Sequence, residues 1–147
     1  MAADPDQVRQ LLATNKCQNC DLTSAQLTDA NLNDANLSGA NLSGADLGAA
    51  NFLGADLRGA DLAGANLTGA YLDDANLSGA NLTGANLGDV FLTGANLINA
   101  ILTRADLTGA DLTRAKLSGA TLTEAKLTGA IWTDGRKCVK GSVGLCK

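Results

Sequence analysis

The sequence predicts an all-β solenoid in which the chain turns once every five residues, and three observations predict it. A large apolar residue recurs at every fifth position, from Leu22, Leu27, Leu32, Leu37, Leu42, Leu47, Phe52 and Leu57 through to Leu127 and Trp132, with no polar residue in the series. Two residues before these centres stands Ala, from Ala25 to Ala130, with Val90 as the one exception and Cys20 in the same place at the start. Composition agrees. Apolar residues make up 46% of the 147 residues but aromatics only 3%, so the core must be built from Leu and Ala. Seventeen glycines oppose a helix bundle.

A period of five matches neither the 3.6-residue helix nor the two-residue alternation of a straight strand, so the chain must bend once per repeat. Four such bends close a square. The centre and the Ala before it then point inward, and the other three positions face water. Glycine ends many repeats, as at Gly39, Gly64 and Gly94, which suits a corner; Arg104 and Arg114 in the same place show that it is favoured, not obligatory. The Asp or Asn before each centre is expected to hydrogen-bond to the backbone of neighbouring coils.

On these residues, a run of some 23 A-[D/N]-L-x-x repeats over positions 17–134, the chain resembles the pentapeptide-repeat proteins. The resemblance implies a right-handed quadrilateral parallel β-helix with about 20 residues per coil. At parallel strand spacing, between five and six coils make a rod about 28 Å long. The chain then forms a single domain, residues 1–147: an N-terminal helical cap over 4–16, the β-helix over 17–134, and an irregular C-terminal cap over 135–147. Asp4 reads as the N-cap of the helix, with Pro5 at its first position and Val8, Leu11 and Leu12 as its apolar residues, lying over the first coil. Trp132 closes the repeat series.

The four cysteines lie at opposite ends of the rod, Cys17 and Cys20 at one, Cys138 and Cys146 at the other. A separation of about 28 Å excludes bridges between the ends, because a disulfide needs Cα atoms within about 7 Å. Cys17 and Cys20 form either a local bridge or two small buried apolar side chains. For Cys138 and Cys146, the glycine-containing loop between them favours a disulfide-stapled cap. Bridges at both ends would mean an oxidising compartment. Ala2-Ala3-Asp4 reads as a mature start left by removal of a leader, with Met1 added before it. The ending, with Trp132, Thr133, Asp134, Gly135, Cys138, Ser142, Gly144, Cys146 and Lys147, resembles those of cyanobacterial and chloroplast pentapeptide-repeat proteins of the thylakoid lumen or periplasm. The alternative location is the cytoplasm.

Catalysis finds little support. With no histidine there is no base to pair with Ser or Cys, and acidic neighbours such as Asp73 and Asp74 sit on a convex face without a cleft. No catalytic residue is assigned, and the chain is read as no enzyme. Four thiols split between two ends cannot gather around zinc, no phosphate-cradling loop occurs, and the calcium-binding glycine-aspartate nonapeptide is absent, so no cofactor or metal is expected. No apolar run approaches membrane-spanning length. Charge is uneven: from Asp21 to Asp89 nine acids face the single Arg58, a net −8, whereas the tail adds Arg136, Lys137, Lys140 and Lys147 for +4. That balance carries no basic footprint for direct nucleic-acid binding.

The large apolar residues at outward positions point to a protein partner. Tyr71 and Phe91 fall in one column of adjacent coils, Ile131 lies two coils further along, and Leu53 belongs to the same face. They define a candidate interaction patch on a non-catalytic structural or protein-interaction module. The alternative is the DNA-mimicking gyrase inhibitor, a class the resemblance includes, for which the acidic stretch speaks. That stretch covers only about 17 Å, and no dimerising C-terminal module is evident. The oligomeric state stays open.

Overall fold

The computed structural model describes residues 2–147; Met1, read as an added start, lies outside them. Each repeat is one β-turn and one bridging residue. In residues 76–80, Ala80 N donates to Leu77 O at 3.0 Å and closes the turn, while Gly79, its third residue, takes φ +67°, the left-handed value that a type II turn requires there. The chain bends through this turn every five residues, so no extended strand forms. Instead single residues bridge in parallel to the residue 20 positions on, from Lys16 with Asn36 to Asp111 with Ile131. Twenty residues per coil and five per side make a quadrilateral β-helix.

The five N–H groups of one repeat can all be traced. Asn76 N donates back to Ala55 O, Leu77 N and Gly79 N donate forward to Asn96 O and Ile98 O, and Ala80 N closes the turn. The fifth, Ser78 N, donates to Asn76 Oδ1 at 3.1 Å within its own repeat. This corrects the expectation that the Asp and Asn side chains bond to backbone in neighbouring coils. Their side chains are short, and the bend places the N–H two residues on within reach. Coil-to-coil contacts of these side chains are confined to amide-carboxylate pairs such as Asn66 Nδ2 with Asp46 Oδ1 at 3.3 Å.

The shaft is lined mainly by buried Leu and Ala, with Phe52 the largest fully buried side chain. Helix α1, Pro5–Thr14, covers the first coil, with Asp4 as N-cap accepting from Asp6 N. Gln7 Oε1 accepts from Asp21 N, and Leu11 is fully buried over the shaft. Leu12 departs from expectation: one residue on, it is turned about 100° round the helix and is 56% exposed. At the other end Gly135 reverses the chain, and the tail pairs antiparallel to the last coil through Lys126 with Val143 and Ile131 with Lys137. It covers only part of that coil. Leu117, Gly119, Leu122 and Glu124 have backbone N–H groups without an acceptor among the described residues, and Leu117 and Leu122 are half-buried. Among the described residues no helix is long and apolar enough to cross a membrane.

Candidate interaction surface

Tyr71 and Phe91 bridge one another directly, and their rings stack 5.0 Å apart at an interplanar angle of 4°. Both are exposed, 45% and 40%. They occupy positions that in most repeats hold Asp or Asn, so Asp73 N and Thr93 N lose the side-chain acceptor that such a residue supplies. The aromatic pair therefore forgoes two local hydrogen bonds and shows its rings to water.

Carboxylates flank the pair. Asp111 bridges Phe91 on the next coil, with its Oδ1 held by Thr113 N and Oγ1. Asp74 and Asp89 stand at the corners on either side of the face, and both reach along the rod axis: a Cβ on Gly94 would lie 2.5 Å from Asp74 Oδ1, and one on Gly109 2.2 Å from Asp89 Oδ1. Asp73 follows Tyr71 by two residues. Among the described residues no arginine or lysine forms an ion pair with these four groups.

The other patch residues stand apart. Leu53, 44% exposed, sits at the corner of the preceding coil, diagonal to Tyr71. Ile131 lies beyond Asp111, separated from Phe91 by that residue and half-buried beside Lys137 of the tail. The structure thus joins Tyr71 with Phe91 and leaves Leu53 and Ile131 at the margins.

The cysteine pairs are local. Cys17 and Cys20 have Cα atoms 5.3 Å apart and Cys138 and Cys146 4.9 Å apart, with sulfurs at bonding distance in both. Among the described residues no group of His, Cys, Asp or Glu is arranged to hold a metal ion. Three carboxyls are held below their ordinary range: Asp21 mainly by the Thr23 hydroxyl, Asp56 mainly by its hydrogen bonds from Arg58, and Asp106 mainly by Thr108. All belong to the repeat's own hydrogen bonding. None lies in a cleft that could use it.

One surface escaped the sequence reading. Val139, Val143 and Leu145 in the tail are 57%, 51% and 61% exposed, whereas Cys138, Ser142 and Cys146 are buried. The alternation of apolar and small residues was the available signal, and with no repeat to phase it the outward set could not be told from the inward one.

The family model for pentapeptide repeats matches residues 16–54, 50–89 and 92–129. No curated protein sequence matches the chain. Among solved structures it is similar to HetL, a pentapeptide repeat protein involved in heterocyst differentiation regulation from the cyanobacterium Nostoc, at 36% identity over 83% of this chain and 65% of that one, TM-score 0.41. A pentapeptide repeat protein from the Arabidopsis thaliana thylakoid lumen is 26% identical over 92% of this chain and 87% of that one, TM-score 0.44. A trypsin-treated form of QnrB1, a plasmid-mediated fluoroquinolone resistance protein, is 26% identical over 85% of this chain and 62% of that one, TM-score 0.50. The chain spans less than two thirds of the length of HetL and of QnrB1. With its coil of 20 residues, its turn in every repeat and a family match over most of its length, the chain belongs to the pentapeptide-repeat family.

Proposed function

We propose that this protein is a rigid, non-catalytic interaction module that captures a cationic protein segment on the Tyr71/Phe91 face, in the thylakoid lumen or periplasm. The observation that carries the reading is the stacked aromatic pair set where the repeat otherwise places Asp or Asn. Two π-faces edged by Asp73, Asp74, Asp89 and Asp111 match a segment bearing Arg or Lys, because a guanidinium stacks on the ring and pairs with the carboxylates. The shaft beneath this face is buried, with Leu72 and Leu92 at 0% and 1% exposure, so the surface rests on a rigid support. The cysteine pairs at both ends support an oxidising compartment.

The test is capture from lumenal or periplasmic extract by immobilised protein, compared with a Tyr71→Asn/Phe91→Asn double variant. Asn suits both positions, so the variant should melt like the unaltered chain. A defined partner retained by the unaltered chain and lost by the variant is expected; unchanged capture would sink the patch.

A second reading, a DNA-mimicking inhibitor of gyrase, is favoured by the −8 stretch from Asp21 to Asp89 and by the likeness to QnrB1. A supercoiling assay separates the two. Protection or inhibition of gyrase at about micromolar concentration, which corresponds to roughly −8 kcal/mol of binding, would promote this reading, and no effect would remove it.

A further inference from the structure

We propose that the C-terminal apex of the rod is a docking surface for an anionic lipid bilayer, holding the protein end-on at a membrane face. The apex is built to keep apolar side chains outside. Ser142, fully buried, donates its hydroxyl to Val139 O at 2.8 Å and accepts from Lys147 N at 3.1 Å. Val139 N donates to Lys147 O, and the Cys138–Cys146 pair ties the same two segments together. With Cys138, Ser142 and Cys146 turned inward, the residues beside them, Val139, Val143 and Leu145, must point away from the rod. Among the described residues these three are the most exposed large apolar side chains apart from Leu12.

Cations surround them. Among the described residues Lys137, Lys140 and Lys147 make no ion pair, and Lys126 bridges Val143 on the last coil; Arg136 is engaged with Asp134 at 3.4 Å. Glu124 and Asp134 are side-chain carboxylates of this end, and Asp106 and Asp111 stand one coil below, bridged to Lys126 and Ile131. A shallow open depression lined by Thr128, Gly129, Lys137, Cys138, Val139 and Lys140 places two ammonium groups beside an apolar floor, a fit for an anionic headgroup with its chains against Val139. Asp106 stands one coil below Lys126 and offsets it, so the free charge of the apex is that of Lys137, Lys140 and Lys147. Asp89, last of the acidic stretch, lies about 10 Å back along the rod, beyond the roughly 8 Å over which charge acts at physiological salt. The acidic body therefore does not cancel the field at the apex, and it favours an upright rod over one lying flat on an anionic surface.

The shape selects the occupant. Three exposed aliphatics beside a shallow basic depression suit a deformable apolar medium, whereas a folded protein would need a matching surface. The acceptorless N–H groups of Leu117, Gly119, Leu122 and Glu124 on the same end can meet headgroup oxygens and interfacial water. Binding then rests on two weak contributions together, apolar insertion and charge, as for other peripheral anchors.

The experiment is flotation of the full-length oxidised protein with vesicles containing about 30% phosphatidylglycerol in phosphatidylcholine, against phosphatidylcholine alone. The unaltered chain is expected to float with the anionic vesicles only, and to be released as salt rises from about 50 to 500 mM. Val139→Ser/Leu145→Ser and Lys137→Gln/Lys140→Gln should each weaken binding at least about tenfold. Tyr71→Asn/Phe91→Asn should float like the unaltered chain, since that face is not involved. Absence from the floating fraction, equal binding to neutral vesicles, or binding indifferent to salt would overturn the proposal, and all three are read on the unaltered chain. Apex variants that melt normally and still float would overturn it too.

Discussion

A carboxylate or amide at a left-handed corner dictates which residue can stand above it on the next coil. Asn19, Asp34, Asp74, Asp89 and Asn99 all have positive φ, and each directs Oδ1 into the space where a Cβ would sit on Gly39, Gly54, Gly94, Gly109 and Gly119, at 2.1 to 2.6 Å. Gly64 has the same φ, +65°, and open space around it. Both Gly94→Ala and Gly64→Ala should lose about 1–2 kcal/mol to the left-handed backbone. Gly94→Ala should lose about 0.5–1 kcal/mol more, because Asp74 must leave its rotamer. Adding Asp74→Ala should erase that excess, which a denaturant-unfolding double-mutant cycle measures. The pattern of glycines was visible in the sequence, but its cause was not: the residues involved are 20 apart, and only the coil brings them into contact. At the same scale, Asp21, Asp56 and Asp106 have carboxyls lowered from 3.8 in the folded state. A group depressed on folding stabilises above its unfolded pKa and loses that contribution as pH falls through the folded value. Stability should thus decline as pH drops below about 3.8, with the ion pair of Asp56 and Arg58 contributing to the slope. Asp56→Asn should flatten that slope, as shown by melting temperatures measured at neutral and acid pH.

At the scale of the element, each coil rests on its neighbours alone, so damage depends on where it falls. Leu77 lies in the interior of the shaft, fully buried, and Leu77→Ala should cost about 2–5 kcal/mol in denaturant unfolding, since Ala and Leu from adjoining coils cannot move to fill the void. Leu11 is equally buried but belongs to the cap. Leu11→Ala should open the first coil before the rest, so hydrogen exchange should quicken at Leu22 and Leu27 amides while those of Leu72 and Leu77 stay protected. The start of α1 was readable because Asp4-Pro5 is a local signal that needs no partner. The exposure of Leu12 was not, because the helix has two apolar residues in succession and only docking chooses which one faces the coil. The tail was less legible still. Its antiparallel pairing through Val143 and Lys137 depends on the reversal at Gly135 and leaves no periodic trace.

Over the whole molecule the rod has different ends: a helix over one, a stapled apolar and basic apex at the other, and an acidic body beginning at the first coil. Alkylation of protein quenched with acid from its native source should label none of the four cysteines before reduction and all four after it. Labelling without reduction would place the chain in a reducing compartment and bring the gyrase reading forward. The sequence by itself determined the turn in every repeat, because a period of five with Leu and Ala in fixed places buries both only if the chain bends once per repeat, and most backbone groups then find a partner inside the repeat or one coil away. It also determined that bridges between the ends are impossible, since that follows from rod length alone. Only the tertiary structure decided which outward residues act together. Tyr71 and Phe91 become one stacked surface and Ile131 does not, because Asp111 intervenes in the column and the returning tail lies against Ile131. The same holds at the apex, where direction is set by a buried hydroxyl and a disulfide between residues eight apart, contacts that exist only once the chain has turned back on itself.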